Sequence, residues 1–275
     1  DLRAFLVTSV PKSAGTVKCC VRRQRSSLQK LGQGGETYSL YLEGDDGDRF
    51  MLSACKRTSG LLHKTSAFAI TMRPGEFARE QGGFLGELRA TSRSADEFQL
   101  FDDGYSHEEI EKGNLKLPSS PGAYVNPRVR QEIGAVAYAP AEADLGTPAS
   151  DGPRQMQVVL AQPGDGRGAT TARRTSGATP LLDKMRAGVL TSTEVMLTNR
   201  VPRWNARLQA YVLNFNGRVT QASVKNFQLV ESDDTAEKIR LQFGRTSKDS
   251  FTMDFTYPLS PLQAFAITLT SFESK

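Results

Sequence analysis

Short runs of alternating apolar and polar residues recur along most of the chain and predict β-strands separated by turns. In a strand, successive side chains point to opposite faces, so alternation lets one face be buried and the other solvated. The first group of predicted strands comprises Thr16–Arg23, Thr37–Leu42, Arg49–Ala54, Ala67–Met72, Phe84–Arg89, Glu97–Phe101 and Gln131–Ala139. The acidic turn Glu43–Asp48 joins the second and third of these as a hairpin.

Residues 140–180 differ from the rest of the chain, because they are rich in Pro, Gly, Ala, Thr and Arg. Their one apolar run, Met156–Ala161, predicts a strand between two flexible loops. Gly164–Gly177 has no apolar periodicity, so we expect it to be mobile and to be cut first in limited proteolysis. Thr179–Arg186 predicts a short helix, with Thr179 as a possible N-cap.

The strand pattern returns after residue 190. The predicted strands are Glu194–Thr198, Gln209–Phe215, Ser223–Val230, Lys238–Phe243 and Ser250–Phe255. Asn216-Gly217 is a type I′ turn signal and predicts a hairpin between the second and third of these. Many short, evenly spaced strands favour a barrel or a sandwich. Strands lie on both sides of 140–180 and no repeat is visible, so we expect one domain over residues 1–275 with an excursion near 140–180.

The last apolar stretch predicts a helix that starts at Ser260, a good N-cap, followed by Pro261 at the first helical position. From Leu262 to Phe272 the apolar side chains point nearly all round the helix. Such a helix must be enclosed, and it is too short to span a bilayer. The alternative is a helix packed on one face of a sheet, with Thr268 and Thr270 facing water. A closed barrel would enclose the helix and would also leave no open sheet edges.

Composition narrows the classes of function. The chain has 275 residues and three cysteines without CxxC spacing, which argues against a disulfide framework and for a reducing compartment. His63 and His107 are the only histidines, so a zinc site or a catalytic triad has little to build from. We expect no metal and no cofactor. No signal peptide or transmembrane pattern occurs, and Asp1 as first residue suggests an excised domain with a preceding segment.

Charge is segregated along the chain, which has a net charge of +5. Residues 16–35 and 53–73 contain several Lys and Arg and no acid, whereas Glu43–Asp48 and Asp102–Glu111 are acidic. This pattern suggests a basic face with an anionic partner. The alternative is a set of ordinary solvated strands.

Several segments, in order along the chain, resemble the C-terminal domain of the tubby family. The match is strong from about residue 195, in Pro202-Arg-Trp-Asn205, Asn214-Phe-Asn-Gly-Arg-Val-Thr-Gln-Ala-Ser-Val-Lys-Asn-Phe-Gln-Leu229, Gln242-Phe-Gly-Arg245, Asp254-Phe-Thr-Tyr-Pro-Leu-Ser-Pro-Leu-Gln-Ala-Phe-Ala-Ile267 and Ser271-Phe-Glu-Ser-Lys275. Upstream it is looser, in Lys64-Thr-Ser66 and Gly86-Glu-Leu-Arg89.

The resemblance implies an α+β fold, a closed, mostly antiparallel twelve-stranded barrel threaded by a hydrophobic C-terminal helix. It also implies a non-enzymatic module that binds phosphatidylinositol 4,5-bisphosphate and tethers the protein to the plasma or ciliary membrane, in support of membrane-protein trafficking or signalling. We expect a monomer in the cytoplasm and at the inner face of the plasma membrane, with cilium, flagellum and nucleus as further locations. Ciliary transport proteins and receptor cargo would be partners through the preceding segment.

The resemblance also points to the ligand site. The family places basic residues on the strand after the acidic hairpin, here Lys56 and Arg57, and matches Arg89 in its Gly-x-Leu-Arg motif. We predict that these three converge on one pocket for the 4- and 5-phosphates, because Lys and Arg bind phosphate with charge-assisted hydrogen bonds. Weaker candidates are Lys64, Arg22, Arg23 and Arg25. This chain departs from the family's denser basic run at residues 58–63.

Each assignment has an alternative. Lys56 and Arg57 are adjacent in a strand, so both can serve one pocket only if the strand ends or bulges there. Arg89 could instead pair with Glu87 or Asp102. Arg218 and Lys225 lie in the strongest motif, and we interpret them as structural. A basic groove would also attract DNA, which makes a nucleic-acid-binding transcription regulator the alternative function. A phosphodiesterase-like enzyme would need histidines that the chain lacks.

Overall fold

The structure is a computed structural model that describes residues 1–25, 35–59, 65–113, 115, 128–139, 155–162, 179–206 and 210–273. Its strands are β1 Val17–Gln24, β2 Thr37–Leu42, β3 Arg49–Ser59, β4 Thr65–Thr71, β5 Phe84–Ala90, β6 Glu97–Asp102, β7 Glu132–Ala139, β8 Gln155–Ala161, β9 Glu194–Asn199, β10 Arg203–Asn205, β11 Ala210–Val212, β12 Phe227–Glu231, β13 Ile239–Arg245 and β14 Ser250–Phe255. Its α-helices are α1 Leu2–Val7, α2 His107–Glu111, α3 Leu181–Ala187 and α4 Pro261–Thr270.

Twelve of these strands form a closed antiparallel barrel. The order around it is β1, β14, β13, β12, β9, β8, β7, β6, β5, β4, β3 and β2, and β1 pairs with both β14 and β2. The prediction of a barrel or a sandwich therefore resolves as a barrel, with the twelve strands that the family resemblance implies. Closure satisfies the backbone donors and acceptors that an open sheet would leave at its edges.

Helix α4 lies inside this barrel. Every residue from Pro261 to Thr270 is buried, on all sides of the helix. Ser260 caps its first turn by accepting a hydrogen bond from the Gln263 backbone N–H at 3.1 Å. The Gln263 side chain donates to the Ile133 carbonyl of β7 at 2.9 Å, and Thr270 meets the Tyr138 hydroxyl at 2.8 Å. The predicted enclosure is confirmed.

The alternative in which Thr268 and Thr270 face water is wrong. Both residues are fully buried, because the barrel wall surrounds the helix. Their hydroxyls donate to helix carbonyls one turn back, Thr268 to Phe265 and Thr270 to Ile267, each at 2.7 Å. Threonine is compatible with the core here because its polar atom finds a partner within the helix.

Two predictions near residue 216 need correction. Asn216 and Gly217 have φ of +50° and +75°, and Arg218 N–H donates to Phe215 O at 3.0 Å, so the turn forms as predicted. It does not join a hairpin, however, because β11 pairs with β10 in a separate two-stranded sheet, while β12 pairs with β9 and β13 in the barrel. The predicted strands on both sides shrink to Ala210–Val212 and Phe227–Glu231.

The helices were predicted less well than the strands. Helices α1 and α2 are too short for helical periodicity to distinguish them from loops. Helix α3 was predicted, but its N-cap is Pro180 rather than Thr179, and its first backbone N–H, that of Leu181, donates to the Glu132 carboxylate of β7 at 2.9 Å. Strand β8 is confirmed, whereas the mobility prediction for Gly164–Gly177 lies outside the described residues. Within the described part of the chain, no helix is long and apolar enough to cross a membrane.

Candidate functional site

Lys56 and Arg57 lie on opposite faces of β3. The pairing of β3 with β4 is regular from Ser53 opposite Thr71 to Ser59 opposite Thr65, without a bulge. Lys56 is opposite Phe68, whose side chain belongs to the enclosed core, so Lys56 faces the barrel interior. Arg57 is opposite Ala67 and faces outward. Because β3 neither ends nor bulges between Lys56 and Arg57, the two side chains cannot serve one pocket. The prediction that Lys56, Arg57 and Arg89 converge is therefore wrong for Lys56, and only Arg57 and Arg89 share a face.

Arg57 and Arg89 are brought together on the outer face of the barrel. Arg57 pairs across β4 with Ala67, and Ala67 pairs with Arg89 of β5, so the three residues form one row. Two interstrand spacings place the arginine Cα atoms roughly 10 Å apart. Ala67 itself is buried between them, and Ala69 of β4 lines the open space that both arginines share.

Gly86 of the Gly-x-Leu-Arg motif allows β5 to lie close against β6. A Cβ atom at Gly86 would lie 2.4 Å from the Phe101 carbonyl oxygen, so any other residue would push the strands apart. The motif therefore has a structural half, Gly86, and a half that supplies a cation, Arg89.

The two arginines line an open cleft of about 220 Å³, which we call the outer cleft. Its wall is completed by the β4–β5 connection and by α2, so it combines residues far apart in the chain. The lining residues are Arg57, Ala69, Phe77, Ala78, Arg79, Glu80, Phe84, Glu87, Arg89 and Glu109.

Two further arginines support the cleft, and the sequence pattern did not indicate them. Arg79 donates to the carbonyls of Asp103 and Gly104, both at 2.7 Å, and its guanidinium lies 4.4 Å from the Phe84 ring centroid. Arg130 stacks over Phe101 at 4.4 Å. Burial lowers the pKa of Arg130, and the nearby positive charge of Arg89 lowers it further. Both residues lie outside strands, so only the tertiary fold brings them here.

Carboxylates share the cleft with these cations. Glu87 accepts from Arg89 Nε at 2.7 Å and from Nη2 at 2.6 Å, which is the pairing considered as the alternative role for Arg89. Glu109 closes the capping box of α2 by accepting from the Ser106 backbone N–H at 2.7 Å. Burial opposes ionisation of Glu109, but these hydrogen bonds outweigh it, and its pKa is lowered. The three arginines and three glutamates of the lining sum to a formal charge of zero.

Lys56 belongs to a different region, at the end of the barrel that the C-terminus of α4 reaches. We call this region the barrel mouth, and it comprises Arg23, Arg25, Glu36, Lys56, Lys225, Phe272 and Glu273. Lys56 Nζ lies 2.7 Å from Glu273 Oε1, and the Glu273 side chain is only 6% exposed. Ser66 donates to the other carboxylate oxygen of Glu273. Lys225 Nζ donates to the Ser271 carbonyl at 2.7 Å. These contacts anchor the chain where it leaves α4.

The weaker candidates that the structure describes also lie outside the cleft. Arg22 forms an ion pair with Asp48, and its guanidinium lies 4.3 Å from the Tyr41 ring centroid. Arg23 donates to Asp249 at 2.9 Å and to the Lys248 carbonyl at 3.0 Å, and its guanidinium lies over Phe272 in the barrel mouth. Arg25 is 3.4 Å from Glu36 and 3.9 Å from Asp249. Lys64 lies outside the described residues. None of these three described candidates lines the outer cleft with Arg57 and Arg89.

Arg218 and Lys225 are structural, as interpreted from the sequence. Arg218 makes two bidentate ion pairs, with Asp254 at 2.6 and 2.8 Å and with Glu43 at 2.8 Å for both contacts. Asp254 is buried, so these bonds join the acidic turn after β2 to the wall of the barrel. Arg218 does not reach the outer cleft.

The cysteines are poor nucleophiles. All three are thiols, and burial raises the pKa of Cys20 to about 11, with Asp48 nearby adding to the shift. Burial likewise raises the pKa of Cys19 and of Cys55. Within the described residues no group of three or more His, Cys, Asp or Glu side chains could hold a metal ion.

A closed twelve-stranded barrel that encloses its own C-terminal helix defines a distinct class of β-barrel domain. The model of the Tub family matches residues 6–274. The chain belongs to the Tub family. It is 35% identical over its full length to mouse "Tubby-related protein 2", 36% identical over 94% of its length to Caenorhabditis briggsae "Tubby protein homolog 1", and 38% identical over 96% of its length to Culex quinquefasciatus "Protein king tubby 2". It spans about half of each relative, namely 45%, 57% and 56% of their lengths.

Proposed function

We propose that the chain is a non-enzymatic phosphoinositide-binding module that tethers its protein to the plasma or ciliary membrane through phosphatidylinositol 4,5-bisphosphate. Such tethering would support membrane-protein trafficking or signalling, with ciliary transport proteins and receptor cargo as partners of the longer protein. The observation that carries the proposal is the row Arg57–Ala67–Arg89 on the outer face of β3, β4 and β5.

The chemistry of this row suits a ring that carries two phosphates. Each guanidinium presents a planar fork that can donate two parallel hydrogen bonds to one phosphate. Arg57 on β3 and Arg89 on β5 are separated by β4 alone, so the closed barrel holds the two arginines at a fixed distance. This arrangement favours a ligand with two phosphates at a fixed spacing. Arg79 in the cleft wall and Arg130 near Arg89 add positive potential, and membership of the Tub family supports the same ligand class.

The test compares three targets at one ionic strength. These are vesicles containing phosphatidylinositol 4,5-bisphosphate, phosphatidylserine vesicles of matched total negative charge, and a DNA duplex. We expect the parent chain to prefer the phosphoinositide vesicles. Each charge-assisted contact contributes about 1.5–3 kcal/mol, so Arg57→Gln with Arg89→Gln should lower that affinity more than about tenfold.

The control carries the same loss of charge outside the cleft. Arg25→Gln with Lys248→Gln removes two cations near the barrel mouth, and the phosphoinositide preference should survive that change. Equal binding of the parent to both kinds of vesicle would overturn the proposed function. Tighter binding to the DNA duplex than to either vesicle would favour the nucleic-acid alternative instead.

A further inference from the structure

In the outer cleft, the Glu87 carboxylate occupies the position at which Arg89 would bind a phosphate. Arg89 directs both Nε and Nη2 to one oxygen of Glu87, at 2.7 and 2.6 Å. These two N–H groups form the side edge of the guanidinium, one of the edges that can hold a phosphate bidentately. The carboxylate thus occupies an anion position within the cleft.

Glu87 is also shielded from water. Its side chain is 18% exposed, whereas that of Arg89 is 37% exposed. A partly buried charge is screened less by salt and solvent than one on the open surface, so its field acts across the cleft. Together with Glu80 and Glu109 it balances the three arginines of the lining.

The other two acids of the cleft, Glu80 and Glu109, are held in other parts of its wall. Glu109 is fixed in the capping box of α2, so replacing it would disturb that helix. Glu80 lines the cleft but lies in its loop wall, beyond Arg79 rather than on the strand with Arg89. Glu87 is two residues from Arg89 on the same face of β5, where the ligand of the proposed site would bind.

We infer that Glu87 is an internal competitor that sets the affinity of the outer cleft and limits its discrimination between headgroups. The inference rests on the proposed function. A phosphate that takes the side edge of Arg89 must displace Glu87, which costs the same free energy whatever the ligand. Once displaced, the carboxylate still repels the ligand in proportion to the ligand's charge. Removing the negative charge should therefore help every anionic headgroup, and most of all the most highly charged one.

A positioning role for Glu87 makes the opposite prediction. If the phosphate binds the other edge of Arg89, the Glu87 contact would hold the guanidinium in place, and its loss would weaken binding. The sign of the change in affinity separates the two roles.

The experiment uses the parent chain, Glu87→Gln, and the control Glu76→Gln. Glu76 is 39% exposed, pairs with Arg73 at 3.4 Å and does not line the cleft, so the control makes the same change in net charge nearby. Binding is measured to vesicles with phosphatidylinositol 4,5-bisphosphate, with phosphatidylinositol 4-phosphate, or with phosphatidylserine. Glu87→Gln should tighten binding to the bisphosphate vesicles by about fivefold or more, with smaller gains for the other two. Glu76→Gln should change each affinity less than about twofold.

A second variant tests whether the gain passes through Arg89. In the double variant Glu87→Gln with Arg89→Gln, the gain should disappear, because the displaced contact no longer exists. Thermal unfolding of each variant checks that the barrel is intact.

The inference would be wrong if a folded Glu87→Gln variant bound bisphosphate vesicles no more tightly than the parent. If the parent still preferred the bisphosphate, the proposed function would stand. Gains equal for all three kinds of vesicle would also overturn it. If neither the parent nor Glu87→Gln prefers bisphosphate vesicles, the proposed function fails and takes the inference with it.

Discussion

The barrel mouth and the outer cleft both concentrate cationic side chains, but the two regions use them differently. At the mouth, Lys56, Lys225 and Arg23 are engaged by groups that terminate α4 or join the hairpins around it. In the cleft, Arg57 and Arg89 project from the outer face of the barrel into a space open to solvent. Lys56 and Arg57 are neighbours in sequence, so strand alternation alone assigns one to each region.

A basic run in a barrel strand therefore serves two surfaces at once. One residue in two faces the interior and must find a partner there, because an unpaired buried charge is costly. The other faces outward and can keep its hydrogen-bonding capacity for a ligand. Four predictions test this division.

The largest effect should come from the helix that the mouth anchors. Phe265 is fully buried in α4, and Phe265→Ala should lower the free energy of unfolding by about 3–5 kcal/mol because it leaves a cavity in a closed barrel. Urea denaturation measures the change. The matched control is Phe5→Ala, since Phe5 of α1 is 40% exposed and should lose under about 1 kcal/mol. A comparable small loss at Phe265 would contradict the enclosed helix.

Lys56→Met should affect stability rather than binding. It keeps the apolar stem but leaves Glu273, at 6% exposure, without its cation, so the free energy of unfolding should fall by about 1–3 kcal/mol. Glu273→Gln in the same chain should restore part of the loss, because it removes the unpaired charge. Vesicle affinity should stay within about twofold of the parent. If a folded Lys56→Met variant bound bisphosphate vesicles more than tenfold more weakly than the parent, Lys56 would be part of the ligand site.

Arg57→Gln should show the reverse pattern. Its side chain faces the cleft, so affinity for bisphosphate vesicles should fall about tenfold, while the free energy of unfolding should change by less than about 0.5 kcal/mol. Raising the salt concentration should weaken the parent more than the variant, because the variant has fewer charges to screen. Vesicle sedimentation and urea denaturation on the same preparation measure both quantities. Loss of stability without loss of affinity would contradict the division.

The smallest effect should be a dependence of stability on alkaline pH at the mouth. Burial lowers the pKa of Lys225 from its ordinary value of 10.5, and repulsion from Arg23 lowers it further. At a pH between the lowered pKa of folded Lys225 and 10.5, the unfolded chain binds more protons than the folded chain. Lys225 therefore makes the free energy of unfolding rise with pH in this range. Lys225→Gln should remove that rise.

Lys248→Gln is the control for the pH measurement. Lys248 lies exposed in the turn between β13 and β14, so the change has the same chemistry without the burial. Stability curves collected over the alkaline range should keep their rise in this variant. An identical curve for parent and Lys225→Gln would show that Lys225 does not titrate differently in the folded state.

From the sequence alone, most of the barrel strands and helix α4 could be predicted. Alternation placed the barrel strands, with β2 and β14 at their observed bounds, because one buried and one solvated face imposes a period of two. Ser260, Pro261 and the apolar residues that follow predicted α4 and its burial, since a helix apolar on all sides must be enclosed. Family motifs identified Arg57 and Arg89 as candidates, and structure places them in one cleft.

Contacts between distant residues determine how these elements and side chains are used. No local pattern could show that β3 continues without a bulge past Lys56, which sends that lysine to Glu273, a residue 217 positions away in the chain. Nor could it show that Arg79 and Arg130 support the cleft or that Glu87 occupies the edge of Arg89. The Asn216-Gly217 turn formed without its hairpin for the same reason. Strand partners and charge pairs are chosen by contacts between distant residues, which a periodic pattern along one segment does not encode.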